Sequence, residues 1–535
     1  MKKNSPYGFP IVLHKGRIVS AVYRKPEIPA QGGNPLEEAL PPVLTPEQAI
    51  KRLAFYPQYQ ESYRKLPAHI RKLFVQDGMR FFAPMDIHVD LEQRFSSLIR
   101  MGYLSRNPLE SNYWTKAAAN LDSFDPCGSQ YGEWDGDASW TASGFNIVGM
   151  SGIGKSRSAI RILYLYPQVI KHSSYKNRDF THLQLVWLKL ECPFDGNPRG
   201  LCIQFFKAVD NILGTTYHQD YVRDRRLQDE LLSDMATVAS NHFIGVLVID
   251  EIQRLSLARS GGADKMLNFF VNLINTIGVP VVLIGTYKAM ALLSGEFSQM
   301  RRGTGQGDLI WDRMSNDEQW KLLLESLWRF QYMKKLCPLT PELSDALYNE
   351  TQGITDFAVK VYMFAQERAI DTGREKITPA IISSVAKDKL NIPREVLNAL
   401  KMDNKGILEK FEDVYPVALK NYLAEVPEAP EVIGSINAAP DVQASILQFF
   451  RPSTPISAGH PDNPGTNPEC AEGPPDTKKG KKAGPKTRQT GDKKQREVRG
   501  ELPRIITESN SEDRMAAYES LKQAGYICPA REFLP

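Results

Sequence analysis

The stretch Gly149-Met150-Ser151-Gly152-Ile153-Gly154-Lys155-Ser156 constrains this chain more than any other. It fits G-x-x-x-x-G-K-[ST] and lies between a short apolar run, 144–148, and a segment with helical character, 158–163. Strand, glycine loop and helix is the context in which that pattern cradles phosphates. Gly149, Gly152 and Gly154 let the backbone turn tightly and aim its N–H groups at an anion. The helix N-terminus adds partial positive charge. Lys155 can then reach the β- and γ-phosphates, and the Ser156 hydroxyl can bind Mg²⁺. The predicted cofactors are ATP and Mg²⁺, with residues 149–156 as the phosphate cradle. On residue type alone the alternative is a glycine-rich turn before a helix.

A second run answers the first. Val246-Leu247-Val248-Ile249 is continuously apolar, as a strand buried on both faces would be, and it ends in Asp250-Glu251. Asp250 is the predicted second Mg²⁺ ligand. Glu251 is the predicted base that orients and deprotonates water. The plain alternative is a solvated acidic turn. A third apolar run, 279–285, ends at Thr286, which is either a γ-phosphate sensor or a turn former. Beyond it, Arg301 and Arg302 lie in a glycine-rich loop. They read as arginine-finger candidates toward a neighbouring subunit, or as a solvated basic loop.

These runs alternate with helical segments at 201–213 and 266–275 and with a further strand at 183–190, which predicts a parallel α/β sheet covered by helices. Its boundaries are set at 121–315. Before it, 1–120 is expected to be a partly helical extension: a small hairpin around 11–22, an extended linker over 26–42, a helix capped by Thr45-Pro46, and another over 91–100. Tyr56, Tyr59, Tyr63, Phe74, Phe81 and Phe82 are expected to pack as core, with a protein-docking surface as the alternative. Residues 316–390 read as a small helical lid of the kind AAA+ modules carry, and 391–450 as further helical pieces. Residues 451–500 are rich in Pro, Gly and Lys and poor in large apolar groups, which predicts a disordered basic linker. In 501–535, a short amphipathic helix over 511–524 carries Met515, Tyr518 and Leu521 on one side, as a partner-binding tail. The net charge of +4 is small but unevenly spread, and Arg223, Arg225 and Arg226 form one local cluster. No run is long enough to span a bilayer, the N-terminus lacks a signal-peptide core, and the six cysteines are scattered. A cytoplasmic protein with reduced thiols is expected.

The ordered set of motifs resembles a known family. Gly-Met-Ser-Gly-Ile-Gly-Lys-Ser at 149–156, Val-Ile-Asp-Glu-Ile-Gln at 248–253, Met-Leu-Asn-Phe-Phe-Val at 266–271, Gly-Val-Pro-Val-Val-Leu-Ile-Gly-Thr at 278–286 and Arg-Arg-Gly-Thr-Gly-Gln-Gly-Asp-Leu-Ile-Trp at 301–311 are similar to TnsC. TnsC is the AAA+ ATPase regulator of bacterial transposons of the Tn-seven class. The resemblance spans roughly residues 85–390. It implies a protein that binds duplex DNA when ATP-bound and self-associates into rings or filaments. It also implies a link between a target-selector protein, TnsD-like or CRISPR-linked, and the TnsA and TnsB transposase subunits, with the tail engaging TnsA. One departure concerns the second sensor. AAA+ lids usually supply a second sensor arginine from a Gly-x-x-Arg pattern; here Gly353 is followed by Ile354, Thr355 and Asp356, with Lys360 a turn further on as a weak substitute. Two other classes fit the same motifs: a small-molecule P-loop kinase, for which no acceptor pocket is legible, and a non-transposon ATPase or nucleotide-binding scaffold adaptor.

Overall fold

The computed structural model describes residues 13–25, 32–122, 124, 143–222, 226–257, 262–290, 292–293, 306–408, 410–411 and 413. The described residues open with strand β1 (Ile18–Ser20) and helices α1 (Pro35–Glu38), α2 (Pro46–Leu53), α3 (Ala68–Asp77), α4 (Asp86–Leu104) and α5 (Tyr113–Asp122). The α/β region follows as β2 (Gly144–Gly149), α6 (Lys155–Leu163), β3 (Val169–Tyr175), β4 (Arg178–Leu185), β5 (Trp187–Glu191), α7 (Pro198–Leu213), α8 (Tyr217–Tyr221), α9 (Gln228–Asn241), β6 (Val246–Asp250), α10 (Gly262–Asn272), β7 (Val281–Gly285) and β8 (Leu309–Trp311). A helical group closes the described chain: α11 (Glu318–Trp328), α12 (Pro341–Thr351), α13 (Thr355–Asp371), α14 (Pro379–Lys389), α15 (Arg394–Lys401) and α16 (Lys405–Leu408).

The main sheet has five parallel strands in the order β5-β6-β7-β2-β8. Every residue of β2, β6 and β7 is buried, as expected of parallel strands covered on both faces. The fold is therefore α/β with a parallel sheet and a helical lid. Because β7 and then β6 lie on one side of β2 and all three run parallel, the phosphate loop after β2 opens on the same side of the sheet as the ends of β7 and β6.

Several local expectations hold for physical reasons. Thr45 caps α2 in a reciprocal box: its Oγ1 accepts from the Gln48 N–H, and Gln48 Oε1 accepts from the Thr45 N–H. The predicted helix over 91–100 lies inside α4. The N-terminal aromatics pack within the chain. Tyr56 stacks on Phe330 at 5.7 Å, and Phe74 stacks on Tyr332 at 5.9 Å and on Tyr63 at 4.5 Å. They seat the extension on the lid.

Others are corrected. The hairpin expected around 11–22 does not form among the described residues; β1 instead pairs in parallel with β3, Ile18 opposite Val169. The extended linker over 26–42 contains the buried helix α1. Asn34 caps it by accepting from the Leu36 N–H, and its Nδ2 donates to the Tyr103 carbonyl at 2.7 Å. Asn before Pro35 was the overlooked helix-start signal. The single strand expected over 183–190 is two strands in two sheets. β4 closes a hairpin with β3 across Lys176 and Asn177, both at positive φ, and the chain then crosses at Val186 into β5. Residues 183–190 hold no Gly, Pro, Asn or Asp to mark such a break. The fifth strand, β8, was not anticipated at all.

Candidate nucleotide site

The phosphate loop turns through Gly152 (φ 85°) and Gly154 (φ 102°), conformations that side-chain-bearing residues rarely adopt. Gly149 is required for a different reason: a Cβ there would lie 1.9 Å from the Trp311 carbonyl oxygen of β8. Lys155 is the first residue of α6 and is buried. Its Nζ donates to the Gly149 carbonyl at 2.8 Å and the Met150 carbonyl at 2.7 Å, so the ammonium is folded back on its own loop. Burial pushes it down to about 8, against the opposing pull of Asp250, Glu251 and Asp413.

Asp250 ends β6, two strands from β2. Its Oδ1 accepts the N–H of Glu251 at 2.9 Å, and its Oδ2 lies 2.7 Å from Nζ of Lys189 on β5. Glu251 sits at φ 60°, a strained backbone for a glutamate of the sort that concentrates at working sites. Gln253 Nε2 donates to Glu251 Oε2 at 2.6 Å, and Gln253 Oε1 accepts the N–H of Thr286 at 3.2 Å. One amide thus ties the acidic pair to the end of β7. Thr286 is nearly buried, and its Oγ1 donates to Asp413 at 2.6 Å.

The lid helix α13 docks directly on the phosphate loop. The Asp356 N–H donates to the Gly152 carbonyl at 3.3 Å, and Thr355 Oγ1 donates to the Ile153 carbonyl at 3.2 Å. Gly353 (φ 74°) permits this approach, because a Cβ there would fall 2.0 Å from the Met314 carbonyl oxygen. Lys360 is paired with Asp356 at 2.6 Å.

The structure therefore gathers Lys155, Asp250, Glu251 and Thr286 at one edge of the sheet. Arg301 and Arg302 lie outside the described residues, as do Arg223 and Arg225. Arg226 is described and engages Glu230 and Asp234, each at 3.2 Å. Sequence reasoning missed three participants: Lys189, Gln253 and Asp413. Lys189 had a signal, since a lone lysine in an otherwise apolar strand calls for a buried partner. The donor set suits the expected cofactors. The glycine loop opens at a helix N-terminus, and a hydroxyl (Ser156) with a carboxylate (Asp250) is hard-oxygen chemistry appropriate to Mg²⁺.

A family model described as an AAA domain matches residues 141–293. This segment is an AAA+ P-loop domain. No curated protein matches the chain. Among solved structures, the chain is similar to the ORC1 protein of Aeropyrum pernix in complex with DNA, at 14% identity over 65% of this chain and 84% of that one, with a TM-score of 0.32. It is similar to the ORC2 protein of the same organism, solved as ADPNP–ADP complexes, at 13% identity over 52% and 68%, with a TM-score of 0.31. The RuvB Holliday junction branch migration motor of Thermotoga maritima matches at 15% identity over 59% and 91%, with a TM-score of 0.29. The AAA+ segment ends before β8, so the fifth strand and the lid lie beyond the matched residues.

Proposed function

We propose that this protein is an ATP-hydrolysing AAA+ switch. The carrying observation is the convergence of Lys155, Asp250, Glu251 and Thr286 at the ends of adjacent strands, with Gln253 bridging Glu251 to Thr286. In this reading, residues 149–156 hold the phosphates by backbone N–H groups and Lys155 leaves its loop carbonyls to pair with the γ-phosphate. Ser156 and Asp250 hold Mg²⁺. That ion, when bound, neutralises charge on the phosphate oxygens. Glu251 takes a proton from the attacking water, Gln253 fixes its carboxylate, and Thr286 reports the γ-phosphate. Arg301 and Arg302 are retained as candidate fingers between subunits.

The finer reading is a TnsC-like regulator of DNA transposition, supported by the ordered motif set from 149 to 311. Such a protein self-associates on duplex target DNA and links a target selector to TnsA and TnsB, in the cytoplasm. Among the described residues no helix is long and apolar enough to cross a membrane. DNA binding in this reading is led by phosphate contacts, so it weakens steeply with salt and varies little with sequence. The test is ATP turnover with and without duplex DNA, together with particle size in ATP and in ADP. Turnover raised by DNA and assembly in ATP are expected. Activity that requires a small acceptor molecule, or no turnover at all, would overturn the reading.

A further inference from the structure

Lys189 lies in mid-β5 opposite Val248 of β6, with 2% of its side chain exposed; Asp250 is 4% exposed. Both oxygens of the Asp250 carboxylate are engaged, one by the Lys189 ammonium and one by the Glu251 N–H. A lysine buried in a strand whose Trp187, Leu188 and Leu190 are buried too is costly unless paired, and a Leu or Met would fill the same space without that cost. We infer that Lys189 is a positioning residue of the nucleotide site: a tethered cation that holds the Asp250 carboxylate, and through it the Glu251 backbone, when no metal is bound.

This rests on the reading of Asp250 as a Mg²⁺ ligand. It follows that Mg²⁺ binds against a fixed positive charge, so the chain demands more metal than its carboxylate alone would. The experiment uses the full chain with Lys189→Met, Lys189→Gln and Lys189→Arg. Binding of a fluorescent ATP analogue is followed against free Mg²⁺, and thermal unfolding is followed in EDTA and in Mg²⁺–ATP. The Met and Gln variants should reach half-maximal binding at roughly tenfold lower Mg²⁺, an effect of one nearby charge partly screened. They should also gain more from Mg²⁺–ATP in thermal unfolding than the unmodified protein does. Lys189→Arg keeps the charge and should keep the unmodified metal dependence. An unchanged Mg²⁺ midpoint, with equal loss of stability in EDTA and in Mg²⁺–ATP, would reduce Lys189 to a structural ion pair. Should the Met variant fail to fold, the Gln variant decides. Absence of Mg²⁺-dependent binding in the unmodified protein would instead sink the reading of Asp250.

A separate observation comes from the far end of the described chain. Asp413, beyond α16, accepts the Thr286 hydroxyl at 2.6 Å, and its charge also acts on Lys155. The Thr286 hydroxyl, expected to meet a γ-phosphate, is thus already engaged by a carboxylate of the same chain. We propose that Asp413 is an internal cap on the γ-phosphate position, which ATP must displace. ADP has no γ-phosphate and does not compete for that place. Asp413→Ala should therefore tighten ATP binding several-fold, with little change for ADP, and Asp413→Asn, which keeps a polar partner but no charge, should fall between. Equal effects on ATP and ADP, or none on either, would overturn the cap. Thr286→Ala separates the two ideas: if it leaves the preference for ATP over ADP unchanged, the sensor reading of Thr286 fails first.

Discussion

Arg71 and Glu375 meet as a two-pronged ion pair, Nη2 to Oε1 at 2.7 Å and Nη1 to Oε2 at 2.8 Å, although 304 residues separate them. Arg71 belongs to α3 of the N-terminal extension, and Glu375 follows α13 of the lid. The same guanidinium donates to the carbonyls of Tyr332 and Leu66. With Arg71 1% exposed and Glu375 11%, removing one partner strands a nearly buried charge. Arg71→Ala should cost about 3–5 kcal/mol of stability. Chemical denaturation of the variant beside the unmodified protein measures it, and a loss below about 1 kcal/mol would show that the pair is solvent-screened.

The acidic pair predicts a separation of binding from turnover. Glu251→Gln should bind ATP normally but release phosphate at least about a hundredfold more slowly, the usual share of a general base. Lys155→Ala should lose ATP binding itself. Nucleotide binding and phosphate release on both variants check this, and near-normal turnover by Glu251→Gln would remove Glu251 from the role. Because Gln253 holds Oε2 of Glu251 at 2.6 Å, Gln253→Ala should lower kcat by roughly tenfold with little effect on KM.

Helix α4 carries two buried groups, one turn apart, whose effects on stability oppose each other with pH. Burial drives the His88 imidazole from its ordinary 6.5 down to about 4, with its Nδ1 accepting the Met85 N–H. Its contribution is complete above pH 6.5 and is lost as pH falls toward 4, worth up to about 3 kcal/mol. Burial drives the Glu92 carboxyl the other way, from 4.5 up to about 7, against the hydroxyl of Tyr166 and the charges of Arg100 and Arg52. That contribution is complete below pH 4.5 and is lost as pH rises through 7. Glu92→Gln should therefore raise Tm at pH 8 and leave it nearly unchanged at pH 4. A Tm–pH series from 4 to 8 tests it, and an equal shift at both ends would disprove the titration of Glu92.

The tail prediction falls on residues outside the described ones. An isolated helix as short as 511–524 is marginal in water, so Met515, Tyr518 and Leu521 need a partner's groove to be worth ordering. The basic stretch from Lys478 to Arg499 would let that anchor reach beyond the ATPase assembly at high effective concentration. Deleting residues from Leu502 onward should spare ATP turnover and abolish capture of TnsA. A pull-down beside a turnover assay decides it; undiminished capture would place the contact elsewhere.

The parts of the candidate site were legible because they are short and contiguous. A phosphate loop is one turn of chain, and Asp250-Glu251 is one strand end, so residue order alone identifies both. The lid announced itself through local signals as well, with Thr340-Pro341 at the start of α12 and Gly353 just before α13. What no run of residues could display was partnership across the fold. Lys189 reaches Asp250 because β5 happens to lie beside β6. Thr286 meets Asp413 across 127 residues, and Arg71 meets Glu375 across 304. The break at Val186 and the late strand β8 were hidden for the same reason: burial of a strand depends on its neighbours in the sheet, and strand order leaves no periodic trace in the chain. Local propensity and motif chemistry belong to the sequence. The pairing of distant charges, and with it the positioning of the acidic pair, belongs to tertiary packing, which alone decides which groups share a dry and weakly screened interior.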